Sequence, residues 1–493
     1  MKKQYVWIMT DSTRYDMLGC YGNAAMKTPN LDKLAENGIR FSHAYTSQPV
    51  CGPARSCLFT GLYPHENGML GNSMYLGQNV KTIGQLIHSN GIECGYIGKW
   101  HLDGGDYFGY GKCPDGWNEK YWYDMKCYLD ELPSDEERTR SRKMKTCLEG
   151  NGIPAEYTYG HQVTERALQF IDEFSQDDFF LTVSYDEPHG PSLCPKEYAT
   201  MYNNFAWPDS PAYHDTLEEK PAYQKLWAKT CNVESARRPS VFLGCNSYID
   251  SEIGRVIDKI HSVAPDALIM FTSDHGEAHG AHGLNHKGPT LYDETIRTPL
   301  IFEGRHILKE RVFEHAVSHA SLPATVLDYF GISIPKEYSA DSLLSSLCKG
   351  ETSEEGTAFV EFNRYERDHD GFGGLQMMRG IVTDHYKLAL HLCDTDELYD
   401  IDQDPHCIRN LIQEDSYKHT RNILHDRLLQ WMNDTRDPFR GYQWKCRSWR
   451  TEYTPDWEVD GWTRQHENEE NELRQLDYDT GLPMIDACRP KKK

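Results

Sequence analysis

The chain has 493 residues, enough for two or more domains around a large core. Its 75 acidic side chains outnumber 52 basic ones, and a net charge of -23 argues against nucleic acid or an anionic membrane as partner. No apolar run approaches the roughly 20 residues that cross a bilayer. The fifteen cysteines lack paired spacing, and Met1-Lys2-Lys3-Gln4 leads directly into a strand, so reduced thiols in a cytoplasmic protein are the expectation.

Tyr5 to Thr10 reads as a buried strand that ends at Asp11-Ser12. A carboxylate at the carboxyl end of a first strand is where open α/β sheets place ligands. Thr28-Pro29 starts a helix that Asn37-Gly38 stops, and Ile39 to Tyr45 reads as the next strand. Then comes Pro49-Val50-Cys51-Gly52-Pro53-Ala54-Arg55, running to Thr60-Gly61. Pro53 suits a first helical turn, so Cys51 stands near a helix N-terminus, where backbone N–H groups favour negative charge. Arg55 lies one turn on, on the same face. Thr82 to His88 is a short helix, and Glu93 to Ile97 a strand leading into Gly98-Lys99-Trp100-His101. Lys99 and His101 would face one side of a continuing strand.

Residues 103 to 158 read as an insertion on the ligand face, rich in Tyr, Gly and charge. His161 to Phe174 is an amphipathic helix, and Phe179 to Tyr185 a strand followed by Asp186-Glu187-Pro188-His189-Gly190-Pro191. His189 thus sits in a stiff loop between prolines. Phe242 to Val263 is a core-facing helix, and Ala267 to Thr272 a strand ending at Ser273-Asp274-His275-Gly276-Glu277. His275, His279, His282 and His286 invite a zinc reading, but the intervening glycines oppose the single helical face it would need. Lys287 follows. Phe359 to Glu361 reads as the last strand of the main sheet, and the polar, aromatic group from Asn363 and Arg364 to Asp370 as sugar-binding chemistry or a solvated loop.

The order strand, helix, strand predicts an α/β fold: a large mixed, mostly parallel sheet flanked by helices. From about residue 375 the pattern changes to strands and then a helix. This places a catalytic domain at 1–374 and a small α+β subdomain with an antiparallel sheet and an irregular tail at 375–493.

Cys-Gly-Pro-Ala-Arg followed by Leu-Phe-Thr-Gly resembles the signature of type I sulfatases, of the alkaline phosphatase superfamily. Gly-Lys-Trp-His at 98 to 101, Pro-His-Gly-Pro at 188 to 191 and Asp-His-Gly-Glu at 274 to 277 are similar to further motifs of that family, in the same order. Tyr96 to Gly104, Ser184 to His189 and Val360 to Glu366 look most like the YidJ-like bacterial sulfatases. The likeness covers roughly residues 5 to 430. It implies that Cys51 is converted to formylglycine, whose hydrate attacks sulfur, and that the fold is alkaline phosphatase-like. It implies Asp11, residue 51, Asp274 and His275 as ligands of one divalent metal. Ser12 stands where the family often has a second carboxylate and is a further candidate ligand through its hydroxyl oxygen. Calcium is the expected ion, with magnesium or manganese open and the His275 nitrogen leaving zinc open too.

Arg55, Lys99 and Lys287 would neutralise the sulfate, His101 would act on the residue 51 hydroxyl, and His189 would protonate the departing alcohol. Lys99, His189, Lys287, Asn363 and Arg364 are the candidate substrate contacts. The implied partners are a sulfated small molecule or glycan and a maturase, either a formylglycine-generating enzyme or its anaerobic counterpart. Two alternatives stand beside this: a phosphate or phosphonate monoester hydrolase using the same cluster, and a non-catalytic anion binder if Cys51 stays a thiol.

Overall fold

The computed structural model describes residues 2–104, 107–351, 355–365, 374–450 and 480–482. Residues 366–373 of the expected sugar-binding group, and most of the expected irregular tail, lie outside them. Seven strands form the large sheet: β1 (Gln4–Asp11), β2 (Ile39–Tyr45), β3 (Glu93–Gly98), β4 (Phe179–Pro188), β5 (Leu268–Ser273), β6 (Arg297–Glu303) and β7 (Arg311–Ser318). Their order is β3-β4-β1-β5-β6-β2-β7, and only β6 runs antiparallel to its neighbours.

β1 shows why this sheet is buried on both faces. Its eight residues are all buried. Val6 and Ile8 point into one core with the helices Tyr159–Phe174 and Ser240–Val263, while Tyr5, Trp7 and Met9 point into the other. That second core takes in Leu58 and Phe59 of the helix Cys51–Thr60, and Leu322 and Val326 of the helix Ser321–Phe330. The alternation is the period of two that a strand imposes, with an apolar layer waiting on each side.

A separate antiparallel sheet has the order β11-β10-β9-β8, from β8 (Thr357–Tyr365), β9 (Gly374–Thr383), β10 (Tyr386–His391) and β11 (Glu397–Asp400). Phe359 to Glu361 is therefore not the last strand of the main sheet. It belongs to β8 and pairs with β9, its near neighbour in sequence, and the main-sheet edge is β7 instead. β7 shows an uneven, half-exposed pattern that gives little strand signal. Val360 and Phe362 pack with Tyr45, Val50 and Leu291, and the Glu361 N–H donates to Ser47 O at 2.7 Å. The small sheet thus braces the loop that runs into Cys51.

The chain divides into two compact units, Met1–Leu411 and a second from Ile412 on. The described part of the second is built on the helix Lys418–Asp434, whose Arg421 donates to Trp449 O and whose His425 bonds Trp444 O. Among the described residues no helix is long and apolar enough to cross a membrane.

Candidate active site

The carboxyl ends of five strands meet at one rim. Asp11 closes β1 and Asp274 follows β5, so paired parallel strands set two carboxylates side by side. Asp274 Oδ1 accepts the N–H groups of Ser12 at 3.1 Å and His275 at 2.9 Å. Ser12 turns the chain with φ 65°, and its hydroxyl donates to Asp11 Oδ1 at 2.8 Å. From β2 the chain reaches Cys51, first residue of its helix, with extended Val50 before it and Pro53 in the turn whose N–H groups have no helical partner. Cys51 Sγ lies 3.2 Å from His275 Nε2 and 3.8 Å from Asp11 Oδ1. One ligand atom each from Asp11, Cys51, Asp274 and His275 lies within 4.8 Å of the others, all buried.

Cations surround this cluster. Arg55, fully buried, donates from Nε to Asp274 at 3.0 Å and from Nη2 to Asp11 at 3.2 Å. Its Nη1 reaches Lys99 O at 2.8 Å and Ser184 Oγ at 2.9 Å. Lys99 Nζ lies 2.7 Å from Asp11 and 3.0 Å from Asp186. The strand does not continue through His101, as the sequence suggested. β3 ends at Gly98, and His101 has φ 59°. A side chain at 98 would meet Ser184 O at 1.9 Å, so glycine is needed where β3 leaves β4. Even so, Lys99 and His101 both reach the site, and His101 shares a hydrogen bond with the Cys51 thiol.

His189 stands at the rim on the loop after β4. Its Nδ1 lies 3.1 Å from Gly190 O and 3.0 Å from Tyr107 Oη, so it donates there and leaves Nε2 for a ligand. The Tyr107 hydroxyl in turn donates to Asp186 Oδ1 at 2.5 Å. The Tyr107 ring stacks on His189 at 5.4 Å, meets His101 edge-on at 5.5 Å and carries Lys99 Nζ 4.2 Å from its centre. Tyr107 and Asp186 have no role in the sequence reading. Asp186 stood in the quoted motif, but Tyr107 lies in an insertion with no periodicity to mark it.

A family model described as Sulfatase matches residues 3–332, and one described as N-sulphoglucosamine sulphohydrolase, C-terminal, matches residues 280–434. The sulfatase YidJ of Escherichia coli K12 is 38% identical over 501 positions, covering 100% of this chain and 99% of that protein. The chain belongs to the sulfatase family. It is a sulfuric ester hydrolase of that family's α/β fold. An N-acetylglucosamine-6-O-sulfatase of Bacteroides thetaiotaomicron is 24% identical over 88% of this chain and 86% of its own length. The phosphonate monoester hydrolase of Agrobacterium radiobacter shares the fold at a TM-score of 0.75, with 22% identity, over 88% of this chain and 96% of that one.

The charges of this sulfatase site are strongly coupled. Burial and Asp11 push the Cys51 thiol up, but Lys287, Lys99 and His275 outweigh them and hold it well below the ordinary range. Burial and the like charge of Asp11 raise Asp274 to about 7. Burial opposes charge on His275, yet Asp274 and Cys51 raise it to about 9. Burial and then Lys99 depress His189 to about 4, so it is neutral in the free protein. Burial raises Asp186, but nearby positive charge, Lys99 foremost, outweighs it and holds the carboxyl below the usual carboxylate range. Lys287 stays protonated against burial because Cys51 and Asp11 face it.

Some candidates lie elsewhere. Asn363 is buried, and its amide donates to Gln48 Oε1 and Glu361 Oε1 at 2.9 Å each, a structural bracket beside the segment before Cys51. Arg364 is half-buried on the same strand. His279 packs on Trp207 and Phe242, His282 stacks on Tyr292 at 3.6 Å, and His286 is 81% exposed. Of the four spaced histidines, only His275 enters the metal-competent cluster found among the described residues.

Proposed function

We propose that this sulfatase cleaves sulfate monoesters of a carbohydrate, using residue 51 as nucleophile after Cys51 is oxidised to formylglycine. The observation that carries this reading is the buried cluster of Asp11, Cys51, Asp274 and His275, ringed by Arg55, Lys99, His101 and Lys287. Cys51 is 1% exposed, so its oxidation by a formylglycine-generating enzyme or an anaerobic maturase precedes folding. The same cluster suits a divalent cation. Two carboxylates that repel each other, one of them held near 7, are relieved by a cation between them. Asp11, residue 51, Asp274 and His275 would hold it, with Ser12 orienting Asp11. Oxygen-rich donors favour calcium, and the His275 nitrogen leaves magnesium or manganese. When bound, the ion acts as a Lewis acid on the sulfate oxygens.

The remaining steps belong to side chains. Lys99 and Lys287 neutralise the bound sulfate. Arg55, with each nitrogen already donating to protein oxygens, holds Asp11 and Asp274 in place. Burial keeps His101 neutral, so it accepts a proton from residue 51. His189 delivers a proton from Nε2 to the departing alcohol, once the charge of the bound ester restores the protonated imidazole. Asn363, buried in its bracket, steadies the segment before residue 51, and half-buried Arg364 is assigned to the outer substrate rim. The sugar assignment is supported by the N-acetylglucosamine-6-O-sulfatase among the relatives. A cytoplasmic location is supported by fourteen cysteines without a disulfide among the described residues.

Mass spectrometry of the peptide around residue 51 tests the nucleophile: replacement of CH2–SH by CHO is expected, and an unmodified thiol in active protein overturns it. A phosphonate hydrolase shares the fold, so turnover of nitrophenyl sulfate must be compared with nitrophenyl phosphate and phosphonate. Preference for either phosphorus ester overturns the sulfate assignment. A panel of position-defined sulfated mono- and disaccharides then identifies the sugar.

A further inference from the structure

Among the described residues, Arg142 is a half-buried arginine with no acidic side chain within 4.0 Å, in a chain where acids outnumber bases 75 to 52. Its neighbours behave differently: Arg138 pairs with Asp130, Arg140 with Glu137 and Arg166 with Glu131. Arg142 instead lies 5.0 Å from the centre of the Phe108 ring and 5.8 Å from that of Tyr107, with Nη1 3.7 Å from Met125 Sδ. Aromatic faces and a thioether hold a guanidinium in place without neutralising it. Asp186, an acid of the site, is already engaged by Lys99 and Tyr107.

The position matters as much as the charge. Lys99 Nζ lies 4.2 Å from the centre of the same Tyr107 ring, so the two distances laid end to end keep Lys99 and Arg142 within 10.0 Å of each other. His189 stacks on that ring as well. The sulfate to be cleaved is held at Cys51, and the alcohol leaves past His189. Arg142 reaches the same ring from the insertion.

We propose that Arg142 binds a second anionic group of the substrate, a sulfate or carboxylate carried beside the ester that is cleaved. The guanidinium fork matches either group through two parallel hydrogen bonds. The inference rests on the sulfatase reading and narrows it to sugars with at least two negative charges.

The test compares wild type, Arg142→Ala and Arg142→Lys on glucosamine N,6-O-disulfate, the two glucosamine monosulfates, iduronate 2-sulfate and nitrophenyl sulfate. The expected result is a KM for the disulfate, or for the uronate if the second group is a carboxylate, raised about 10- to 100-fold by alanine. Nitrophenyl sulfate and the monosulfates should stay within about threefold, and lysine should recover part of the loss. Equal losses on all substrates, or none on any, overturn the proposal. Calorimetric titration of the same sugars into Cys51→Ala protein, with and without Arg142→Ala, reads binding without turnover. Arg142-dependent binding in a wild type that hydrolyses no sulfate ester keeps this proposal and overturns the sulfatase reading. Turnover of sulfate esters indifferent to residue 142 does the reverse.

Discussion

Arg55 shows how a signature residue can work from inside the protein. Its guanidinium is fully buried and divides its donors among two carboxylates, a carbonyl and a hydroxyl. Arg55→Met should therefore destabilise chelator-treated protein by about 3–5 kcal/mol, because it strands two buried carboxylates. Urea unfolding measures this, and lost activity at unchanged stability would mean that Arg55 serves the substrate directly. His189→Ala should slow alkyl sulfates by roughly 100- to 10,000-fold while sparing nitrophenyl sulfate, whose leaving group scarcely needs a proton. Equal losses on both esters remove His189 from the acid role. At this scale the sequence was legible wherever a reactive side chain stood at the end of an apolar run: Asp11, Lys99, His189 and Asp274 are cases. Tyr107 and Arg142 were not, because they project from a loop-rich insertion where neither periodicity nor a strand end marks them.

Among the elements, β8 contributes most that was not foreseen. Its short apolar stretch reads as a core strand, and nothing in the stretch itself says which of two sheets it joins. Pairing with β9 decides that and brings Glu361 onto His65, with both side chains fully buried. Burial pushes the Glu361 carboxyl up, but His65 and Arg379 outweigh it and hold it at about 2. Since the folded value lies below the unfolded one, the pair's stabilisation is complete above about pH 4.5 and fades as pH falls toward 2. It amounts to roughly 3 kcal/mol. Glu361→Gln should lower the melting temperature at pH 6 and flatten its decline between pH 4.5 and 2. An unchanged acid limb would show that another group drives acid unfolding. β6 and β7 escaped the sequence reading for related reasons: β6 follows a glycine-rich loop, and β7 is a half-exposed edge.

For the whole molecule, the doubly buried parallel strands β1, β4 and β5 carried the fold class, since long apolar runs ending in polar residues leave few other architectures. Treatment with a chelator should abolish turnover and lower the melting temperature, and calcium should restore both. Binding at 100 times the dissociation constant stabilises by about 2.7 kcal/mol. Restoration by magnesium or manganese but not calcium would reassign the ion, and an unchanged melting curve would remove it from the cluster.

Tyr107 joins two regions of unlike origin. The groups that act on sulfur hang from the rim of the large sheet, which the two apolar cores keep rigid. Tyr107 and Arg142 hang from the insertion, which is anchored in those cores through Tyr121, Tyr123, Trp117 and Trp122 and bonded to the sheet by Gly98 N–H on Tyr123 O. Reactivity and taste in substrates are thus separable by grafting: exchanging residues 134–158, which carry Arg142 but not Tyr107, between homologues should change which sugar is accepted while the contacts of Tyr107 with Lys99, His101 and His189 stay in place.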